Sequence, residues 1–253
     1  MRIDFEYPCL RLFSEKEHAE QFVDGSFWMS SIKRYRDICE DDSGIGDAYE
    51  GIRLIRSKMI LSTSPQFEAP APELQSLENV TEIDMPLRIP EVDASVVLCS
   101  TQFWGESLEL VNKNDETYRA RISDALADFI DKQDNGKSEV YAVFFSAREM
   151  SEAIRSYANE NDLFAISRSI EYGPKHLTAE EIERLRKGEP PINMILFHKR
   201  EKYNNQFEYR FALLPKPGAS PEALTSKLNP QGFLEVSIPP LRNFETVIYE
   251  VER

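Results

Sequence analysis

The chain has no apolar run near the roughly 20 residues a membrane helix needs. Its first residues, Met1-Arg-Ile-Asp-Phe-Glu6, also lack the basic-then-apolar order of a signal peptide. A cytoplasmic protein with no membrane partner is expected. Cysteine is scarce as well: Cys9, Cys39 and Cys99 are odd in number, widely spaced and outside any Cys-x-x-Cys pair, which excludes a disulfide framework and a cysteine zinc site. Three isolated histidines, His18, His176 and His198, have no second ligand at helical spacing, so no metal site is expected. Phosphate-binding glycine loops are missing too. Gly44-Ile-Gly46 opens like a dinucleotide turn, but Tyr49 takes the third glycine position, and no full phosphate loop of the Gly-x-x-x-x-Gly-Lys-Ser/Thr kind exists.

What remains is ordinary globular material. Hydrophobic residues make up 41% of the 253 and charged residues 29%, enough apolar surface for one sizeable core. The formal charge of −14 repels a phosphate backbone on average and disfavours generic nucleic-acid binding. One cluster, Lys187, Lys199, Arg200, Lys202 and Arg210, is a local basic patch that could still dock RNA or a nucleotide.

Residues 1–253 read as a single α+β domain with a central, mostly antiparallel sheet and helices packed against it. A proline-rich, acidic stretch at about 64–91 reads as a surface excursion. Ser14-Glu-Lys-Glu17, Ser146-Ala-Arg-Glu149 and Thr178-Ala-Glu-Glu181 have the spacing of capping boxes. Apolar periodicity predicts a fourth helix over 116–132. Strands are predicted at 9–13, 26–32, 51–62, 95–100, 140–145, 163–170, 192–198, 206–214, 232–238 and 245–251.

Three segments carry candidate chemistry. Alternation after Tyr203 puts Phe207, Tyr209, Phe211 and Leu213 on a core face, and Gln206, Glu208, Arg210 and Ala212 on a face turned to solvent or a cleft. Arg11 shares its strand face with Cys9 and Phe13, so its guanidinium is expected to emerge at an edge or to meet an anion. Ser30 and Ser31 interrupt the aromatic strand Phe27-Trp-Met-Ser-Ser-Ile32. An arginine for phosphate, small hydroxyls near a ribose and a carboxylate at a strand mouth could together hold a dinucleotide.

The order of Arg11, Ser30/Ser31 and Tyr203-Asn-Asn-Gln206-Phe-Glu208 resembles the ADP-ribosyltransferase superfamily of the arginine, serine, glutamate type. That resemblance implies NAD as substrate. Glu208 would bond the nicotinamide ribose and stabilise an oxocarbenium-like state, and Ser30 or Ser31 would orient it. Arg11 would hold the NAD phosphates. Gln206 and Tyr203 would face the acceptor, a protein or a nucleic acid, and Tyr203 and Arg210 are further candidates for contact with NAD. A toxin or phage-defence role is implied with it.

A second resemblance covers more of the chain. Ser26 to Arg36, Gly46-Asp-Ala-Tyr-Glu-Gly51 and Lys202 to Phe211 are similar to the elements of an uncharacterised bacterial family found beside mobile elements and phage-defence genes. It draws attention to Asp47, Glu50 and Arg210. Two alternatives stand beside the transferase: a non-catalytic acidic protein that mimics nucleic acid or inhibits a basic partner, and a hydrolase or nuclease using Asp47, Glu50 and Glu208 with a divalent ion.

Overall fold

The structure is a computed structural model, and it describes residues 8–38, 47–60, 80–103, 108–114, 117–125, 127–128, 141–241 and 249–250. The fold is α+β, built on an eight-stranded sheet in which every strand pairing is antiparallel. Its centre is β5 (Val96–Gln102). Along one edge, β5 pairs with β12 (Glu208–Pro215), from Thr101 opposite Glu208 to Val96 opposite Leu213. β12 in turn pairs with β9 (Leu163–Ser169).

The other edge of β5 is shared. Val96 and Val97 pair with Ser31 and Ser30 of β2 (Ser26–Ser31), whereas Thr101 and Gln102 pair with Leu10 and Cys9 of β1 (Pro8–Phe13). The sheet therefore forks at Leu98, Cys99 and Ser100. One branch continues from β2 to β13 (Phe233–Ser237), and the other from β1 to β8 (Tyr141–Ser146) and β14 (Tyr249–Glu250). Two-stranded satellites are the β3–β4 hairpin (Arg53–Ile60, Val80–Leu87), the β6–β7 hairpin (Leu108–Asn114, Thr117–Ile122) and the parallel pair β10–β11 (Glu171–Gly173, His198–Arg200).

Alternation along the strands supplies two apolar layers. One holds Met29, Val96, Leu98, Phe145, Phe211 and Leu213. It is covered by α1 (Lys16–Val23) through Ala19 and Phe22, and by α4 (Ala147–Glu160) through Ala147, Met150, Ile154 and Ala158 at helical spacing. The other layer holds Val97, Ala212 and Leu214, covered by Ile32 of α2 (Ile32–Asp37), Val92 of α3 (Pro90–Asp93), and Ile195 and Leu196 of α6 (Ile192–Leu196). α5 (Ala179–Arg186) and α7 (Glu222–Thr225) are further short helices, and residues 124–125 and 127–128, within the helix expected over 116–132, are helical as well. No helix of the described residues is long and apolar enough to cross a membrane.

Several local expectations are corrected. Residues 192–196 form a helix, not a strand; a short apolar run has no decisive period, and Pro190-Pro191 opens the helix as its first-turn signal. Thr117–Ile122 is a strand rather than the start of a helix, because its residues alternate against β6. The Ser14 box does not form: helix α1 starts at Lys16 with Glu15 at the cap position and no side-chain cap bond. Thr178 and Glu181 do close a full reciprocal box, and the Ser146 hydroxyl accepts from the Glu149 amide. Within the proline-rich stretch, residues 80–87 pair with β3, and residues 61–79 lie outside the described residues, as do Cys39, the Glu40-Asp-Asp42 run and Gly44-Ile-Gly46.

Candidate functional site

The approach to β12 is a 3-10 turn over Glu201–Gln206 that ends on Phe207 at φ 45°, a left-handed conformation at a bulky residue. That kink breaks the alternation expected across residues 206 and 208. Gln206 and Glu208 nevertheless meet at one atom: the Lys199 Nζ donates to Gln206 Oε1 at 2.8 Å and lies 2.6 Å from Glu208 Oε2. The expected solvent-facing edge does not exist, since Glu208 is only 4% exposed and Arg210 1%.

Burial of these charges is compensated by mutual pairing. Arg210 donates from Nε to Glu208 Oε1 at 2.8 Å and holds the same oxygen from Nη2 at 2.7 Å. Its Nη1 reaches Glu50 Oε1 at 2.8 Å and also donates to the Leu196 carbonyl at the end of α6. Lys199 lies 3.8 Å from Glu50 Oε2. Glu50, Lys199, Glu208 and Arg210 thus form a buried, charge-balanced quartet. Burial alone would raise the Glu208 carboxyl, but Arg210 and then Lys199 outweigh it and hold its pKa down at about 2. Burial lowers Lys199, and Glu208 and Glu50 reverse that into a raised pKa.

Glu50 is delivered by the turn over residues 47–51. The Asp47 carboxylate accepts the Tyr49 amide at 2.9 Å, an Asx turn, and the chain leaves through Gly51 at φ 66°. A Cβ on Gly51 would lie 2.6 Å from Ile32 Cγ2, so only glycine fits there. Asp47 also accepts from Arg200 Nη2 at 2.6 Å, and Arg36 donates to the Glu50 carbonyl at 3.1 Å. Asp47, Glu50 and Arg210, named by the second resemblance, therefore belong to one connected assembly.

Arg11 arrives from the other side of the sheet. Its strand position faces Phe13 and Phe22, whose rings it overlies at 5.6 and 5.8 Å, and its guanidinium reaches into the fork to donate from Nη1 to the Cys99 carbonyl at 2.5 Å. β1 and β2 both turn away from β5 at that carbonyl, so the arginine satisfies a group the sheet leaves open. Arg11 is partly buried and meets no carboxylate among the described residues, and desolvation lowers its pKa. Tyr35 of α2 and Cys99 are its electrostatic neighbours, and Cys99 in turn neighbours Glu208. Burial first, then the Glu208 charge, push the thiol up to about 12, so it is a neutral donor.

The structure thus brings Arg11 and Glu208 to a common neighbour, Cys99. Ser30, opposite Val97 on the same sheet face, is 6% exposed, and its hydroxyl has no partner among the described residues. Ser31 caps α2, accepting from the Arg34 amide at 3.2 Å. The β5 residue that neighbours Glu208 is Cys99, and neither serine bonds Glu208 among the described residues. Tyr203 and Gln206 are buried at 5% and 7% exposure and pack against cations of the assembly, not against open solvent. The expected basic patch divides likewise: Lys199 and Arg210 are interior, and Lys187 sits at the end of α5, 3.7 Å from Glu183.

Sequence reading missed Lys199 as a ligand of Glu208, Cys99 and Tyr35 as its neighbours, and Arg53. The Arg53 guanidinium spends all five N–H groups, two on Glu181 at 2.8 and 2.9 Å and three on the carbonyls of Lys175, His176 and Met194. It ties the β3–β4 hairpin to the body. No local pattern marks Arg53, whose partners lie 122 to 141 residues away, or Cys99 and Tyr35, which are just as remote from Glu208; Lys199 is near Glu208 in sequence, but only the 3-10 turn between them brings the two together. No family model matches this chain, and neither a curated protein nor a solved structure does, so the functional reading rests on the geometry of these residues.

Proposed function

We propose that the chain is an ADP-ribosyltransferase-like enzyme that consumes NAD at the fork between β1, β2 and β5. The observation that supports this reading is the meeting of the Arg11 guanidinium and the Glu208 carboxylate on opposite sides of Cys99. An arginine free of carboxylate partners among the described residues suits a diphosphate. Glu208, kept ionised by Lys199 and Arg210, supplies a fixed negative charge where an oxocarbenium-like state develops. Ser30, with an unpaired hydroxyl, is the nearest match to a ribose contact. The Cys99 thiol beside Glu208 is a weak donor, and a ribose hydroxyl could take its place.

The test is nicotinamide release from NAD, together with transfer of label from NAD to lysate components. Wild type is expected to release nicotinamide, and Arg11→Met to lose most of that activity while keeping its fold. No release and no transfer by wild type would remove the enzyme reading.

One observation favours a second reading. Both Glu208 oxygens are already bonded to cations, which is how a purely structural carboxylate is held, and the protein would then be a non-catalytic acidic binder. The metal-dependent hydrolase is disfavoured on geometry. Asp47 faces Arg200, Glu50 faces Arg210, and Glu208 faces both Lys199 and Arg210, so a divalent ion would have to displace a cation from each.

A further inference from the structure

The large sheet ends on β13 at one side and on β9 at another, and the two edges differ. An unpaired edge offers main-chain donors and acceptors that can recruit a further strand. On β13 such groups are occupied. The Phe233 amide donates to Asn229 Oδ1 at 3.0 Å, the Phe233 carbonyl accepts from the Asn229 amide at 2.9 Å, and the Glu235 carbonyl accepts from the Tyr157 hydroxyl at 3.3 Å.

β9 has no such cover among the described residues. The Ile170 amide donates to the Glu208 carbonyl at 2.9 Å, which fixes the alternation along the strand. Residues 164, 166 and 168 turn their main-chain groups to β12, and Leu163, Ala165, Ser167 and Ser169 turn theirs outward. No described strand pairs on that side. Neither a proline nor a bulge blunts the edge, since the register with β12 is unbroken from Ser169 to Leu163. Ala165 and Ser167 stay partly exposed along a groove beside α4, and Phe164, on the opposite face, is 44% exposed.

We propose that β9 pairs antiparallel with β9 of a second copy of this chain, so that the sheet continues across a twofold axis. The register that uses the whole of Leu163–Ser169 is centred on Ile166, and it is self-complementary. On the face away from α4, Ile166 meets its counterpart, and the Phe164 ring lies opposite the partner's Arg168, once on each side of the axis. A guanidinium against an exposed ring is a favourable cross-strand pair. Arg168 is already held on that face, 5.9 Å from the Phe197 ring and 2.7 Å from Glu171. On the α4 face only small residues meet, Ala165 against the partner's Ser167, and their outward amides and carbonyls bond each other. The segment carries no acidic residue on a chain of formal charge −14, so like charge within it does not oppose the pairing. β12, the next strand inward, carries Glu208 and Arg210, but the pairing does not depend on the transferase reading.

The experiment is sedimentation velocity of the full chain over an about hundredfold range of concentration, in which mass action reveals the assembly. Wild type should reach a species of twice the 29.2 kDa chain mass. Ser167→Pro removes an outward amide and no bond to β12, and it should weaken dimerisation at least about tenfold. Phe164→Arg sets arginines opposite each other and should weaken it at least about tenfold too, whereas Phe164→Glu, facing the partner's Arg168, should stay within about threefold of wild type. Both Phe164 variants change an exposed side chain, so they decide the matter even where Ser167→Pro does not fold. A wild type that is monomeric throughout, including one that takes up foreign extended peptides instead, overturns the proposal. So does undiminished dimerisation by Phe164→Arg or by folded Ser167→Pro, or a loss in Phe164→Glu as large as in Phe164→Arg.

Discussion

Glu208 meets Arg210 through Oε1 and Lys199 through Oε2, and Glu50 completes the balance, so removing one member strands the others in a place without water. Breaking a buried pair in this way costs about 3–5 kcal/mol, whereas an exposed pair such as Lys16–Glu20 is worth under about 1. Glu208→Ala should therefore lower the urea midpoint strongly, and Lys16→Ala should leave it nearly unchanged. Loss of activity in Glu208→Ala alone would not separate chemistry from folding; Arg11→Met, which removes one bond to a carbonyl, is the better probe of ligand binding.

Two acid windows follow from the same residue-scale physics. His198 is pushed down from 6.5 to about 4, by burial first and then by Arg53. Its folded state disfavours the proton, so the associated stability is complete above pH 6.5 and is lost as pH falls towards 4. Glu208, lowered from 4.5 to about 2, contributes stability that is complete above 4.5 and lost between there and 2. Urea midpoints measured at pH 7, 5 and 3 should fall in both intervals, and His198→Gln should remove the loss between pH 7 and 5 that His198 causes. An unchanged pH profile in His198→Gln contradicts this assignment.

At the scale of elements, two backbone positions aim the site. Phe207 turns the 3-10 helix into β12 at φ 45°, which lets Lys199 hold Gln206 and Glu208 together. A β-branched side chain tolerates that conformation worst, so Phe207→Val should cost about 1–3 kcal/mol in chemical denaturation, and more than Phe207→Gly. Gly51→Ala pushes against Ile32 and should displace Glu50, destabilising by more than about 1 kcal/mol. Phe233–Ser237, whose burial alternates, and Tyr141–Ser146, an apolar aromatic run, were legible from residue pattern, as was the Thr178–Glu181 box. The helix over Ile192–Leu196 was not, because five apolar residues fit either period. Nor was the left-handed kink at Phe207, since that position holds a phenylalanine rather than the glycine or asparagine that usually marks one.

Over the whole molecule, the antiparallel α+β sheet was readable because its strands bury two apolar layers, but the fork in it was not. Which strand shares an edge with which is decided by long-range pairing, and the meeting of Arg11 and Glu208 depends on that choice. Glu208, Arg210, Asp47 and Glu50 could be singled out as candidates from the sequence; their burial could not, because alternation suggested a wet face where a second layer in fact covers the sheet. The overall charge of −14 is likewise silent about the packing of Lys175 and Arg200 on the rings of Tyr49 and Tyr203, which arises only when distant segments meet. The central claim is that the fork binds and cleaves NAD, and nicotinamide release compared between wild type and Arg11→Met tests it most directly. The account predicts release by wild type that falls at least about tenfold in Arg11→Met while the variant remains folded, a loss of roughly 1.4 kcal/mol in transition-state stabilisation. No release by wild type, or equal release by the two proteins, would contradict it.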